Sequence, residues 1–483
     1  MEKNRKFSVG ILNIYRAMPL ELKASMYFFI CNMIQNALSV VSTVIFTRLL
    51  STEDYGVISV YQSWQNILYV IVTLNLATGI YNIGMTKYKK DQDEYTFSLQ
   101  ILGVVITSII SIFMSMTYAI WNKWLDMSPI IFAATVLFFL FVPSYRLWTA
   151  KQRYKLQYKS LVAVTIIESV FSIVVSFIVV CAANDKAQAK IVTGIFVTTA
   201  IAVILFIDNM KKAHFRINVH YWKEAFLYNL NMMPAFLSMI FFNQIDRVMI
   251  DSMESASKAG MYSVAYNGAM IIMAINNAFG AVYNPWLIKK IDENKKKLKI
   301  DIINNVGAVF LGIITLFTLV APELIKIIAS EEYYEAIYVM PPVSASVFFM
   351  FIYHLYSPFV QYYMKPKFLS LLNIIIALLN VTLNYFFISK YGYLAAGYTT
   401  LVCYILYGWM TAIYAHYLQD KYNSKITYDT KTLIVMSAIC VLSSVIISWV
   451  YSYMYIRYIF IALILLAFIF EKKGIVGVIK EFK

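Results

Sequence analysis

The chain has 483 residues, 60% hydrophobic and 14% charged, with a formal charge of +15; soluble domains carry about 45–50% apolar and about 25% charged residues. That balance excludes a soluble globular domain. The basic excess is scattered among short connections rather than gathered on one face, which argues against a nucleic-acid partner and for contact with anionic membrane lipids.

The first apolar stretch, near 24–47, has no small-residue cleavage site and reads as a retained membrane span. Further spans are expected near 57–82, 99–120, 130–149, 161–182, 190–207, 226–249, 261–283, 301–320, 337–359, 369–388, 396–417, 432–450 and 457–470. Most approach the roughly 20 residues a hydrocarbon core requires. The last is short and is expected to pair with the thirteenth as a hairpin.

Lys and Arg cluster in alternate connections: Lys87, Lys89 and Lys90; Lys151, Arg153, Lys155 and Lys159; Lys211, Lys212 and Arg216; Lys289, Lys290, Lys295, Lys296, Lys297 and Lys299. The opposite connections are short and poor in basic residues, and the one from Pro322 to Glu335 is acidic. This positive-inside pattern places both termini in the cytoplasm. No connection is long enough to hold a soluble catalytic domain, so the expectation is an all-α, multi-pass membrane protein that is not an enzyme. Cys31, Cys181, Cys403 and Cys440 lie far apart with no CxxC pair, so neither a disulfide framework nor a metal site is expected. No P-loop occurs either, so no cofactor is implied and transport would be secondary, driven by a proton or sodium gradient or by downstream consumption of the substrate.

An internal repeat organises these spans. Arg48–Tyr61 and Arg247–Ala265 each run from an Arg ending one span, through a short acidic turn, to a G-x-x-S-V sequence opening the next. Gly56, Ser59 and Val60 match Gly260, Ser263 and Val264, and Tyr81–Asn82 matches Tyr283–Asn284. Six crossings separate the copies, so both face the same way. Two six-helix parallel-repeat lobes around a central cavity are expected, 1–210 and 211–430, with a C-terminal helix pair in 431–483.

The RLLSTEDYG element at Arg48–Gly56, with the basic second loop, the duplicated lobes and the extra C-terminal spans, resembles the polysaccharide-exporter branch of the multidrug/oligosaccharidyl-lipid/polysaccharide exporter superfamily, which contains the Wzx-type flippases. The resemblance implies a two-lobed bundle in the bacterial cytoplasmic membrane. Its substrate would be an undecaprenyl-diphosphate-linked oligosaccharide for capsule, O-antigen or a related polymer, and a polysaccharide polymerase would be a downstream partner. A multidrug or cation antiporter and a lipid II flippase share the fold and stay open as alternatives.

Moving a lipid-linked sugar needs a hydrated cavity, because unsatisfied polar groups in hydrocarbon are expensive. Polar stripes at helical spacing are its expected trace. Asn32, Gln35 and Asn36 share one face of the first span, Gln62 and Asn66 one face of the second, and Tyr266, Asn267, Asn277 and Asn380 extend the set into the later spans. The competing reading of each is an interhelical hydrogen bond. Arg48, Asp246 and Arg247, at matched outer ends, are gate candidates, either tethering or merely snorkelling. Glu168 and His354 are candidates for ion coupling, with Arg146 as a rival structural partner for Glu168. Arg146, at the inner mouth, is also the candidate to recruit the diphosphate. Pro234 and Pro358 are expected to kink their spans.

Overall fold

The computed structural model describes residues 19–293, 298–299, 302–423 and 426–470. Lys295, Lys296, Lys297 and both termini, assigned above to the cytoplasmic side, lie outside the described residues. In chain order the elements are α1 (Leu20–Leu49), α2 (Thr52–Thr73), α3 (Tyr81–Lys87), α4 (Gln92–Met116), α5 (Tyr118–Leu125), α6 (Pro129–Tyr154), α7 (Tyr158–Ala182) and α8 (Lys186–Lys212). There follow α9 (His220–Met253), α10 (Ala256–Ala269), α11 (Ile271–Asp292), β1 (Leu298–Lys299), α12 (Ile302–Leu319) and α13 (Ala321–Ile328). After a 3-10 helix at Glu331–Val339 come α14 (Met340–Tyr362), α15 (Pro366–Tyr391), α16 (Leu394–Lys421), β2 (Ile426–Thr427), α17 (Thr430–Val450) and α18 (Met454–Phe470). The two strands form a two-residue parallel ladder. The protein is an all-α integral membrane protein.

Each expected span falls on helix. Among the described residues, ten helices are long and apolar enough to cross a membrane, or eleven if α12 and α13, bent by 56°, form one span. Three departures from the expected pattern have local causes. The second span is not continuous: α2 stops at Thr73, Leu74 and Asn75 take φ of 49° and 48°, and helix resumes at Tyr81. Asn229 of α9 bridges this break, donating to Leu74 O (3.0 Å) and accepting from Ile80 N–H (3.1 Å). The freed backbone groups are thereby paired, as an apolar surround demands. The eighth span divides at Met270 into α10 and α11. The acidic connection from Pro322 to Glu335 is not a loop but α13 and the start of the 3-10 helix. Pro322, Ile325 and Ile328 bury one face of α13, while its Glu323 accepts from Arg457 and Tyr458 of α18.

The chain divides into two compact units, one holding residues 19–42 and 64–237, the other 43–63 and 238–470, apart from the residues not described. Helices α1, α2 and α9 contribute residues to both. In the first unit α6 packs along α8, and α8 along α7. Its inner polar contacts include Tyr81 OH with Thr96 Oγ1 (2.8 Å), Asn209 Nδ2 to Gln100 Oε1 (3.0 Å) and Trp222 Nε1 to Ser98 O (2.9 Å).

The second unit is built round α14, whose apolar residues occupy every face. A helix of that kind must be surrounded. Phe348, Phe349, Phe351, Ile352 and Leu355 are all buried, with α11, α12, α16 and α17 packed against the helix. Pro341 and Pro342 lie in its first turn, where no helical donor is needed.

Candidate functional site

Within the second unit, four helices converge on one carboxylate. Asp246 of α9 is only 1% exposed. A charge so buried requires hydrogen-bond partners, and it has them. Tyr262 OH of α10 (2.7 Å) and Thr400 Oγ1 of α16 (2.9 Å) donate to its Oδ2, and Asn384 Nδ2 of α15 (2.6 Å) donates to its Oδ1. Asn384 is held in turn: its Oδ1 accepts from the Thr399 hydroxyl, and its amide also reaches Asn380 Oδ1 (3.3 Å). The groups facing Asp246 are two hydroxyls and an amide N–H, with the Asn384 and Asn380 oxygens one bond further out, a set of hard groups suited to a proton or a small cation. Among the described residues, no cluster of three or more His, Cys, Asp or Glu offers a metal site.

Among the described residues no ion pair tethers Asp246 to Arg48 or to its neighbour Arg247. Adjacent helical residues diverge in direction. Arg247 Nη1 donates to Asn243 O (2.8 Å), and its guanidinium lies 4.5 Å from the Tyr266 ring centre. Tyr266 and Asn380, expected on a cavity wall, are instead buried beside this network. Asn380 Oδ1 accepts from Asn384 one turn along the same helix, and its Nδ2 has no hydrogen-bond partner.

Arg48 also serves inside the second unit. Its Nη2 donates to Ile327 O (3.0 Å), capping the C-terminal end of α13, where exposed carbonyls favour a cation. Around it, Thr47 Oγ1 donates to Ile328 O (2.8 Å), Ser330 Oγ to Thr47 O (3.1 Å) and Tyr333 OH to Ser51 O (3.1 Å). Thr52 and Ser257, at matched turns of the repeat, share a 2.8 Å hydroxyl contact. The α1–α2 turn is thus stitched to the α9–α10 turn and to the segment after α13.

The amide stripes behave differently from Asn380. Asn32, Asn36, Gln62, Asn267 and Asn277 are exposed, while Gln35 and Asn66 are half-buried. Tyr55 lies in hydrogen-bonding reach of Thr43 and Asn267, joining α1, α2 and α10. In the first unit Arg146 is exposed, with its guanidinium 3.9 Å from the ring centre of buried Tyr69. Glu168 is half-buried and accepts from Thr198 Oγ1 (2.8 Å); among the described residues no ion pair joins it to Arg146. His354 stands against Gly280, and neither ring nitrogen has a hydrogen-bond partner.

Sequence reasoning missed Tyr262, Thr399 and Thr400. The one available signal was Asn380 and Asn384 at i, i+4 on an apolar span, opposite an intramembrane acid on another.

The fold and the family follow from comparison with known proteins. No curated protein matches the chain. Among solved structures it is similar to an inward-facing multidrug resistance MATE family transporter of the MOP superfamily, at TM-score 0.60 and 12% identity, covering 82% of this chain and 99% of that one. It is similar to the lipid II flippase MurJ in an inward closed conformation at TM-score 0.60 and 14% identity, covering 93% and 99%. A MOP superfamily transporter from Pyrococcus furiosus aligns at TM-score 0.54 and 13% identity, covering 82% and 95%. At such identities the likeness establishes the fold alone, and the proteins that share it are transporters and flippases rather than enzymes. A family model described as polysaccharide biosynthesis protein matches residues 45–338. That match takes in the Arg48–Gly56 turn, both copies of the repeat and Asp246, more than half of the chain in all, and the chain belongs to the polysaccharide biosynthesis protein family.

Proposed function

We propose that the protein is a flippase that carries undecaprenyl-diphosphate-linked oligosaccharide units across the bacterial cytoplasmic membrane by alternating access. The lobes would correspond to spans one to six and seven to twelve. The observation that carries the reading is the pair of exposed amides Asn32 and Asn36 on α1, a helix long and apolar enough to cross a membrane, with exposed Gln62 on α2 and Asn277 on α11 beside them in the set. In hydrocarbon each unsatisfied polar group costs several kcal/mol, so such side chains belong beside water. Amides in contact with water suit the hydroxyls of a glycan. A cation-exporting antiporter would favour carboxylates at such positions, and the amides favour the sugar.

Arg146 supplies the cation for the diphosphate: it is exposed, and stacking on Tyr69 orients its planar fork. A groove of about 480 Å³ between α12, α17 and α18, lined by Leu311, Gly312, Met436, Ile439, Ile464 and Phe468 among others, suits the polyprenyl chain. Coupling to a proton or sodium gradient is supported best at Asp246, where a buried carboxylate accepts from an amide N–H and two hydroxyls, and less well at Glu168 or His354. The likeness to MurJ, a protein named for lipid II, supports a lipid-linked substrate.

The test is deletion of the gene. Unflipped lipid-linked repeat units should accumulate, wild-type protein should clear them, and Arg146→Ala, made at normal abundance, should not. Unchanged lipid-linked pools with heightened dye sensitivity would instead support a drug exporter.

A further inference from the structure

A second groove of about 480 Å³ runs between α15 and α16 in the second unit. Phe387 and Tyr391 form one wall, Tyr398 and Val402 the other, and the small side chain of Ala395 opens the space between them. Tyr391, Phe387, Val402 and Tyr398 are 60%, 43%, 44% and 37% exposed on membrane-spanning helices. One end, its mouth, reaches Tyr391 and Leu394 at the α15–α16 turn, where Gly392, at φ +77°, faces Glu254 of the α9–α10 turn. Lys390 stands there with its ammonium 5.2 Å from the Tyr391 ring centre, and among the described residues it has no ion pair. The floor includes Thr399, whose hydroxyl donates to Asn384, the residue that holds Asp246 Oδ1.

We propose that this groove is a binding site for one anionic phospholipid of the surrounding bilayer. One acyl chain lies along Phe387, Ala395 and Val402, and the phosphate of the headgroup pairs with Lys390. Three features point to this occupant. The lining is apolar apart from Tyr391, Tyr398 and Thr399, and tyrosine is a residue that suits a headgroup boundary. Lys390, packed on Tyr391 and in no ion pair among the described residues, complements a phosphate, while Glu254 faces Gly392 at the same turn. Phe387, Tyr391, Tyr398 and Val402 are exposed along the groove on two helices long and apolar enough to cross a membrane, so a lipid chain can enter from the side. The seated chain has a consequence for the network behind it. It covers Thr399 from the membrane side and keeps water off the Asn384–Asp246 contacts, so that access to Asp246 is left to the interior of the unit. The inference does not rest on the identity of the transported substrate.

The experiment uses the full chain in nanodiscs containing phosphatidylglycerol or phosphatidylcholine, each with a photoreactive group at the acyl terminus, followed by peptide mapping. Phosphatidylglycerol should label the 383–402 segment above all other lipid-facing helices. Val402→Trp, which fills the groove from a lipid-exposed position, should lower that labelling about tenfold, as loss of several buried methylenes requires. Lys390→Gln should lower phosphatidylglycerol labelling about fivefold and leave phosphatidylcholine labelling unchanged. Labelling spread evenly over all lipid-facing helices, or unchanged in Val402→Trp, would mean annular lipid only and would overturn the site. Equal labelling by the two lipids in the unaltered protein would overturn the anionic headgroup. Gel filtration of each variant before labelling separates loss of the site from loss of the fold.

Discussion

Gly56 of α2 and Gly260 of α10 meet at the crossing of two repeat-related helices. A methyl group on Gly56 would fall 1.7 Å from Ala256 O, and one on Gly260 would fall 2.3 Å from Thr52 O and 2.9 Å from Gly56 N. In both cases the obstruction is backbone, which cannot rotate away. The matched glycines of the repeat are therefore not a sequence ornament, since each makes room for the other's helix.

The first prediction follows from that crossing. Gly56→Val or Gly260→Val should force α2 and α10 apart and separate Thr52 from Ser257. In a background with exposed Cys181 replaced, a Thr52→Cys, Ser257→Cys pair should cross-link on mild oxidation, because the native hydroxyls lie 2.8 Å apart. Either valine should sharply reduce the cross-linked fraction on a non-reducing gel. If the α1–α2 turn opens during transport, the cross-link should also arrest transport, and reductant should restore it.

Asp246 provides the second. Asp246→Ala would orphan the buried donors of Tyr262, Asn384 and Thr400, at about 1–3 kcal/mol for each group left unsatisfied. It should lower the unfolding temperature in detergent clearly. Asp246→Asn retains the shape and an acceptor oxygen but removes the charge, so it should reach the membrane in normal amount while losing dependence on the ion gradient. Gradient-dependent transport by the Asn variant at the wild-type level would remove Asp246 from coupling.

The third concerns Asn229. Asn229→Leu takes away both partners of the α2–α3 break, Leu74 O and Ile80 N–H. A loss of about 2–6 kcal/mol is expected from two orphaned buried groups. Thermal unfolding followed by fluorescence checks it, and Thr198→Val, which affects one half-buried contact with Glu168, should be far milder.

Much of this architecture was legible in the residues. Apolar runs of membrane length mark the spans, and the G-x-x-S-V copies mark equivalent helices that the structure brings into contact. The breaks were not legible. The sequence from Leu74 through Ile80 stays largely apolar, and the residue that makes its break tolerable, Asn229, lies 149 positions from Ile80. Nor did acidity mark the segment after Pro322 as helical: Glu323 reads as loop until Arg457 is seen beside it.

The candidate site divides the same way. Exposed amides on α1 and α2 were recognisable by helical spacing, because one face carries them. The Asp246 network was not, because its partners stand 16, 138 and 154 residues away on three other helices. Asn380 has the same type and spacing as the exposed amides yet turns inward. A stripe alone does not say whether its polar face meets water or another helix.

Transbilayer movement of the substrate itself tests the account most directly. Undecaprenyl-diphosphate-linked oligosaccharide is incorporated into both leaflets of liposomes, and a membrane-impermeant glycosidase is added outside. With the purified protein present the whole glycan pool should be digested, whereas without it, or with Arg146→Ala, only the outward-facing share should be. Digestion confined to that outward share despite folded wild-type protein, an ion gradient and bound lipid would contradict the flippase account.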